Sequence, residues 1–191
     1  MLRVLVVDES AARAEILRDG LARCGHEVVA TLSSPFELLR AVEAVKPDVI
    51  IIDTESPSRD VLEHVVMVTR DQPRPIVMFA RDDDGKTIRQ AMHAGVSAYV
   101  VDSLDAARVR PIIDVACAQF AEFQRLRNEL AEAQAQLADR KVIERAKGLL
   151  MKAKGLDEAT AYAQLRRMAM DRGKRLADIA RAIIDTAELL G

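Results

Sequence analysis

The sequence predicts an α/β fold, a five-stranded doubly wound parallel sheet, followed by a long coiled-coil helix and a small three-helix bundle. Three observations carry that prediction. Strand-like and helix-like segments alternate five times over about the first 115 residues, the pattern of strand–helix–strand units. The run Val49-Ile50-Ile51-Ile52 is wholly apolar, as in a strand covered on both faces. From Pro111 to Ala153 no further Pro and only one Gly, Gly148, interrupts a stretch rich in helix formers.

The elements follow in order. Arg3–Asp8 is a β-branched run, and Ser10–Cys24 has helical spacing through Ala14, Leu17 and Leu21, closed by Gly25. Glu27–Leu32 is strand-like, and Pro35–Val45 is helical with Pro35 near its first turn. Val49–Asp53 is the third strand, Ser58–Arg70 a helix, Ile76–Phe79 the fourth strand, and Gly85–His93 a helix stopped at Gly95. Ala98–Val101 makes the fifth strand, with helix from about Leu104.

In the long segment Ala116, Phe123, Leu130 and Leu137 recur every seven residues, with Leu126 and Ala133 between them. That seam suits a parallel coiled-coil homodimer; a single helix packing on its own front domain is the other reading. Gly155 ends the long helix. Asp157 caps a second one to about Arg172, with Tyr162, Leu165, Met168 and Ala169 on one face, and Gly173 breaks it. Leu176, Ile179, Ala180, Ile183, Ile184 and Ala187 trace a third stripe, to be buried with Val142, Ala146, Leu149 and Leu150. The expected domains are thus 1–115 for the sheet, 112–140 for the linker helix and 125–190 for the helical tail. The tail is too small for an enzyme cleft, which favours binding.

Composition narrows the function. Half of the 191 residues are apolar and 30% are charged, as in a soluble globular protein. No apolar run reaches a membrane span, and the N-terminus lacks the features of a signal peptide, so the expected place is the cytoplasm, with no membrane partner. Cys24 and Cys117 stand alone and read as buried inert thiols. Aromatics make up 3% and Trp is absent, which argues against base-stacking platforms. Residues 1–139 hold sixteen basic and twenty-three acidic side chains, and 140–191 hold twelve and seven. A basic tail behind an acidic front suggests a polyanion for the tail.

In such sheets ligands gather beyond the carboxyl ends of the strands at the switch point. Asp8 and Glu9 end the first strand and Asp53 the third, so three carboxylates are expected to converge. Oxygen-only ligands suit Mg²⁺, and a carboxylate beside that ion can attack a phosphoryl group. Asp8-Glu9 and Val49–Asp53 resemble the acidic pair and the phospho-accepting aspartate of flavodoxin-like response-regulator receivers, over roughly residues 1–120. The resemblance implies Asp53 as acceptor, with Asp8, Glu9 and Asp53 holding Mg²⁺. The family's hydroxyl and Lys positions are here Ala80 and Asp102. Two readings stand: a relic cluster in a receiver used for protein contact, and a working phospho-switch. The lost cation favours the first, and no cofactor is then required.

Arg140–Met151, Asp157–Tyr162, Leu165–Met170 and Leu176–Ala180 resemble the signature of the ANTAR domain, an RNA-binding antiterminator module. The resemblance implies a pair of short leader-transcript hairpins as target. Without stacking aromatics the contacts should be to phosphates. Lys147, Lys152, Arg166, Arg167, Arg172, Lys174 and Arg175 lie off the apolar stripes and are the candidates, although Arg166 and Arg167 could instead pair with Asp171 or Glu158. Ala169 and Met170 read as core.

Ile52–Asp60, Arg74–Phe79 and Ala94–Val100 are similar to nitrate-assimilation antiterminators of the NasT type. That resemblance implies control by a cytoplasmic nitrate- or nitrite-sensing partner built like a periplasmic binding protein. The competing readings are a phosphorylation-controlled regulator acting on DNA and a protein-interaction adaptor. For the first, Lys174-Arg175-Leu176-Ala177-Asp178 offers a recognition helix charge but little base-edge chemistry.

Overall fold

The computed structural model describes residues 1–101 and 106–190. Strands β1 (Arg3–Asp8), β2 (Glu27–Leu32), β3 (Val49–Thr54), β4 (Ile76–Ala80) and β5 (Ala98–Val101) form one sheet in the order β2-β1-β3-β4-β5. Every pairing is parallel. Helices α1 (Ala11–Arg23), α2 (Leu38–Val45), α3 (Arg59–Asp71) and α4 (Gly85–Ala94) connect the strands. The chain leaves β1 toward one edge and returns to β3 on its other side, so the switch point lies between β1 and β3.

The period of two along each strand divides the core. Val4, Val6, Val49, Ile51, Val77 and Phe79 face α1 through Leu17 and Leu21, and face Val109, Ile113 and Ala116 of the following helix. Leu5, Val7, Ile50, Ile52, Ile76 and Met78 face α2, α3 and α4 on the other side. Ser10 and Ser58 cap α1 and α3, accepting from the N–H groups of Arg13 and Val61. Gly95 closes α4 at φ 105°, and a Cβ there would lie 2.5 Å from Thr69 Cγ2. Only glycine fits that turn.

The long helix α5 spans Ala106–Lys154, followed by α6 (Glu158–Arg172) and α7 (Leu176–Leu190). The chain divides into two compact units, Met1–Gln124 and the remainder from Arg125, with the division inside α5. The second unit has its own core, with Ala146, Leu150, Ala161, Leu165, Ala169, Ile179, Ala180 and Ile184 buried.

Several expectations change. The segment Pro35–Val45 is a single 3₁₀ turn, Pro35–Glu37, followed by α2, because Ser34 bonds the Phe36 N–H and tightens the entry. Ala116 is buried in the front core rather than set in a dimer seam, because α5 is still covering the sheet there. Tyr162 is exposed and Ala161 takes its core position, since Ala161, Leu165 and Ala169 fix the phase of α6. Met170 is exposed while its neighbour Ala169 is buried. Cys24 and Cys117 are free but only half-buried. Burial and the Asp114 charge nevertheless push the Cys117 thiol up, which keeps it unreactive. Asp102 and the helix start at Leu104 lie outside the described residues.

Candidate functional site

Two places carry chemistry. The first is the crevice at the switch point, where Asp8 and Asp53 are directly opposed in register. Asp8 is fully buried at its side chain and Asp53 is 15% exposed. Arg13, one turn into α1, reaches back so that its Nη2 lies 3.0 Å from Asp8 Oδ1 and its Nε 3.3 Å from Asp53 Oδ2. The Ser10 N–H also donates to Asp8 Oδ1 at 2.7 Å. The bond to Asp8 holds the Arg13 guanidinium firmly protonated. Burial and the Asp8 charge push the Asp53 carboxyl above the ordinary carboxylate range, and Arg13 opposes them.

Of the three carboxylates expected to converge, Asp8 and Asp53 meet in the crevice. Glu9 is exposed and takes no part in the pairing. Among the described residues no group of three acidic, His or Cys side chains is placed to hold a metal ion. The two inward carboxylates are bridged by the Arg13 guanidinium, whereas Glu9 is exposed to solvent. Ala80 is buried and apolar where the receiver pattern has a hydroxyl.

Around the crevice Asp82 is a junction that sequence reasoning missed. Ser56 Oγ donates to Asp82 Oδ2 at 2.7 Å, and the Asp84 N–H donates to Oδ1 at 2.9 Å. These bonds, the backbone one foremost, hold the Asp82 carboxyl below the usual range. Tyr99 Oη donates to the Asp82 carbonyl at 2.8 Å, tying β5 to the loop after β4 without any contribution from Asp53.

The second place is the surface of the helical unit. Lys147, expected at a phosphate, is buried: its Nζ donates to Glu144 Oε2 at 2.8 Å and Glu158 Oε1 at 2.7 Å. It lies four residues past Ile143 and three before Leu150, hence on the core side of α5. The two bonds raise the Lys147 pKa and lower that of Glu158, so this lysine is an internal tie between α5 and α6. Arg175 is held by Asp178 through two hydrogen bonds, at 3.2 and 3.1 Å. Arg167 lies 3.8 Å from Asp171, the pairing weighed from the sequence.

Lys152, Arg166, Arg172 and Lys174 are exposed and, among the described residues, make no ion pair. Tyr162 and Met170 flank Arg166 at four-residue spacing on α6, and both are exposed, Met170 by 72%. Their exposure gives this basic face an apolar component. An α6 phase set on Ala161 instead of Tyr162 would have found it.

Along α5 the seam residues Phe123, Leu126, Leu130 and Leu137 are each more than half exposed, and Ala133 is exposed as well. Among the described residues nothing covers this row of large apolar side chains.

Comparison with known proteins bears on both places. The family model of the response regulator receiver domain matches residues 4–114, and that of the ANTAR domain matches 131–184. The transcriptional regulatory protein PdtaR of Mycobacterium tuberculosis is 30% identical over 184 residues, covering 96% of this chain and 90% of that protein. A nitrate regulatory protein of Klebsiella oxytoca is 42% identical over 71 residues, 37% of this chain and 18% of that protein. Among solved structures, the receiver domain of a modulated diguanylate cyclase from Desulfovibrio desulfuricans superposes with a TM-score of 0.56 at 20% identity. It covers 63% of this chain and 97% of that one, a likeness of fold alone.

Proposed function

This chain belongs to the response regulators that join a receiver domain to an ANTAR domain, and from that membership we propose that it is a transcription antiterminator rather than an enzyme. It binds paired hairpins in the leader of a nascent transcript. There it keeps the terminator hairpin from forming, so that polymerase continues into the downstream genes. The observation that carries this reading is the ANTAR match over a helical unit whose exposed Lys152, Arg166, Arg172 and Lys174 form no ion pair among the described residues. Unpaired exposed cations release counterions when they meet phosphates, whereas Arg175 must first leave Asp178. Tyr162 and Met170 beside Arg166 suit a splayed loop base.

The exposed seam from Phe123 to Leu137 supports a parallel coiled-coil homodimer, which presents two such surfaces to two hairpins. The second contact then benefits from effective concentration. The receiver domain takes its input from a cytoplasmic ligand-sensing protein of the binding-protein type, and the segment shared with the Klebsiella nitrate regulatory protein favours nitrate or nitrite as the signal. Ala80 and the Arg13 bridge support protein contact over phosphorylation as the input. Control through DNA is disfavoured, because Arg175 at the entry to α7 is held by Asp178 rather than presented to a groove.

The test is a gel shift of the full chain with paired-hairpin RNA, single-hairpin RNA and duplex DNA at matched salt. The proposal expects paired hairpins to bind tightest. Equal binding of duplex DNA would favour the DNA-acting regulator, and no binding to either nucleic acid would favour the adaptor.

A further inference from the structure

The crevice does not fit the divalent cation that receiver-like carboxylates imply, and the misfit has a specific cause. Asp8 and Asp53 face each other across β1 and β3, and the Arg13 guanidinium spans them at 3.0 and 3.3 Å. We infer that Arg13 is a tethered counter-ion that fills the cation position of this crevice and excludes divalent metal from it.

Three features set this pairing apart from an ordinary surface ion pair. Both carboxylates are turned inward, at 0% and 15% side-chain exposure, so their mutual repulsion is weakly screened and demands a positive charge close by. Arg13 meets that demand from within the chain, at no cost in bringing an ion from solution. It also stands in the first turn of α1, whose cap Ser10 donates its own N–H to Asp8 Oδ1, so the turn that positions the arginine is fixed by the carboxylate it serves. A dication entering here would have to sit within a few ångströms of the guanidinium or expel it. Among the described residues Asp8 Oδ2 is buried without a hydrogen-bond donor, and Arg13 Nε faces Asp53 Oδ2 at 3.3 Å as an ion pair without a hydrogen bond. Asp8 Oδ2 is the atom that removal of Arg13 would offer to such an ion.

The consequence is a crevice whose charge balance is independent of the cation supply. Tyr99, bonded to the Asp82 carbonyl, is anchored by a contact outside the carboxylate pair. This inference deepens the reading of the receiver as a protein-contact module but is tested without RNA. Its failure would therefore leave RNA binding standing, and the converse also holds.

The experiment is calorimetric titration of the full chain with Mg²⁺ alone and with Mn²⁺ alone, comparing wild type with Arg13→Gln. The glutamine keeps hydrogen-bonding capacity and removes the charge. The expected result is no saturable binding by wild type at millimolar metal, and binding at least tenfold tighter in Arg13→Gln. The gain should vanish in Arg13→Gln combined with Asp53→Asn, which places the new site in the crevice. Equal affinity of wild type and Arg13→Gln would overturn the inference. Should Arg13→Gln fail to fold, wild type answers alone through the ¹⁵Nε resonance of Arg13. That signal should stay at its ion-paired position when Mg²⁺ is added, and its move to the position of an exposed arginine would equally overturn the inference.

Discussion

Replacing Leu130 and Leu137 together with Glu should dissociate the proposed dimer, and the size of the effect can be worked from their exposure. Leu130 is 59% and Leu137 55% exposed in the single chain, so each has more than half of its surface left to bury. At ~25 cal/mol per Å², covering that remainder contributes about 1–1.5 kcal/mol per side chain. Two positions on each of two protomers give about 4–6 kcal/mol, which is roughly three to four factors of ten in the dissociation constant. Like charges facing each other at the former contacts add to the loss. The backbone has no reason to change, because Glu is as good a helix former as Leu and both sites are solvent-facing within the chain. Sedimentation equilibrium at micromolar protein reads the outcome, with circular dichroism as the control for folding. The expected result is a dimer for wild type and a monomer of unchanged helicity for the variant. A folded variant with undiminished mass would refute the seam, and with it the pairing of two RNA-binding surfaces along α5.

Other expectations follow from single sites. Asp53→Asn should leave antitermination in a reporter strain and binding of the sensor protein almost unchanged, since Ala80 is already apolar and Arg13 still pairs with Asp8; loss of induction by a folded variant would restore the phospho-switch. Gly95→Ala should destabilise the receiver domain by ~2–3 kcal/mol, read as a fall of roughly 5–10 °C in its melting temperature. The added Cβ would lie 2.5 Å from Thr69, whose hydroxyl is bonded to the Val65 carbonyl and cannot turn aside freely, at a φ of 105°. Acid should weaken the helical unit through Asp157 and Glu158. The Thr160 bonds lower the first carboxyl and the Lys147 bond lowers the second. A carboxyl depressed by folding stabilises above its unfolded pKa, about 3.9 for Asp and 4.3 for Glu, and loses that contribution as pH falls through the folded value. Thermal melts between about pH 5 and pH 2 should show the loss, and Asp157→Asn should flatten it; identical slopes for both proteins would contradict the assignment.

Much of this was legible in the residues, for identifiable reasons. The five strands could be read because their apolar runs are short, bounded and regularly spaced, and all five stand within two residues of their expected ends. The meeting of Asp8 with Asp53 followed from the order of such sheets and is met in the register of β1 and β3. Arg13 was not legible as their partner. Its role depends on how far α1 sets back from the end of β1, a tertiary distance that periodicity does not contain. The available signal was weak: a cation within one turn of the cap Ser10, on the helix end that opens over the crevice. Lys147 defeats a reading from charge alone: a lysine usually faces solvent, but its spacing from Ile143 and Leu150 puts this one on the core side. Tyr162 shows the converse: its hydrophobicity points inward, but Ala161, Leu165 and Ala169 fix the phase of α6 and leave it exposed. Ala116 satisfied the heptad and the receiver core equally, and only the sheet beneath it decides.

The central claim is that the helical unit holds RNA through its unpaired cations, and the salt dependence of RNA affinity tests it most directly. The measurement is binding of paired-hairpin RNA by the full chain across a salt titration, for wild type, Arg166→Gln, Lys174→Gln and Arg175→Gln. For each phosphate contact the logarithm of the affinity should fall by roughly 0.7–0.9 per log unit of salt. Arg166→Gln and Lys174→Gln should each lower that slope by about one contact and weaken binding at all loop sequences alike. Arg175→Gln should change it less, because that guanidinium is held by Asp178 through two hydrogen bonds that must break before it meets a phosphate. A salt-independent affinity, or slopes that do not distinguish the unpaired from the paired arginines, would contradict the account.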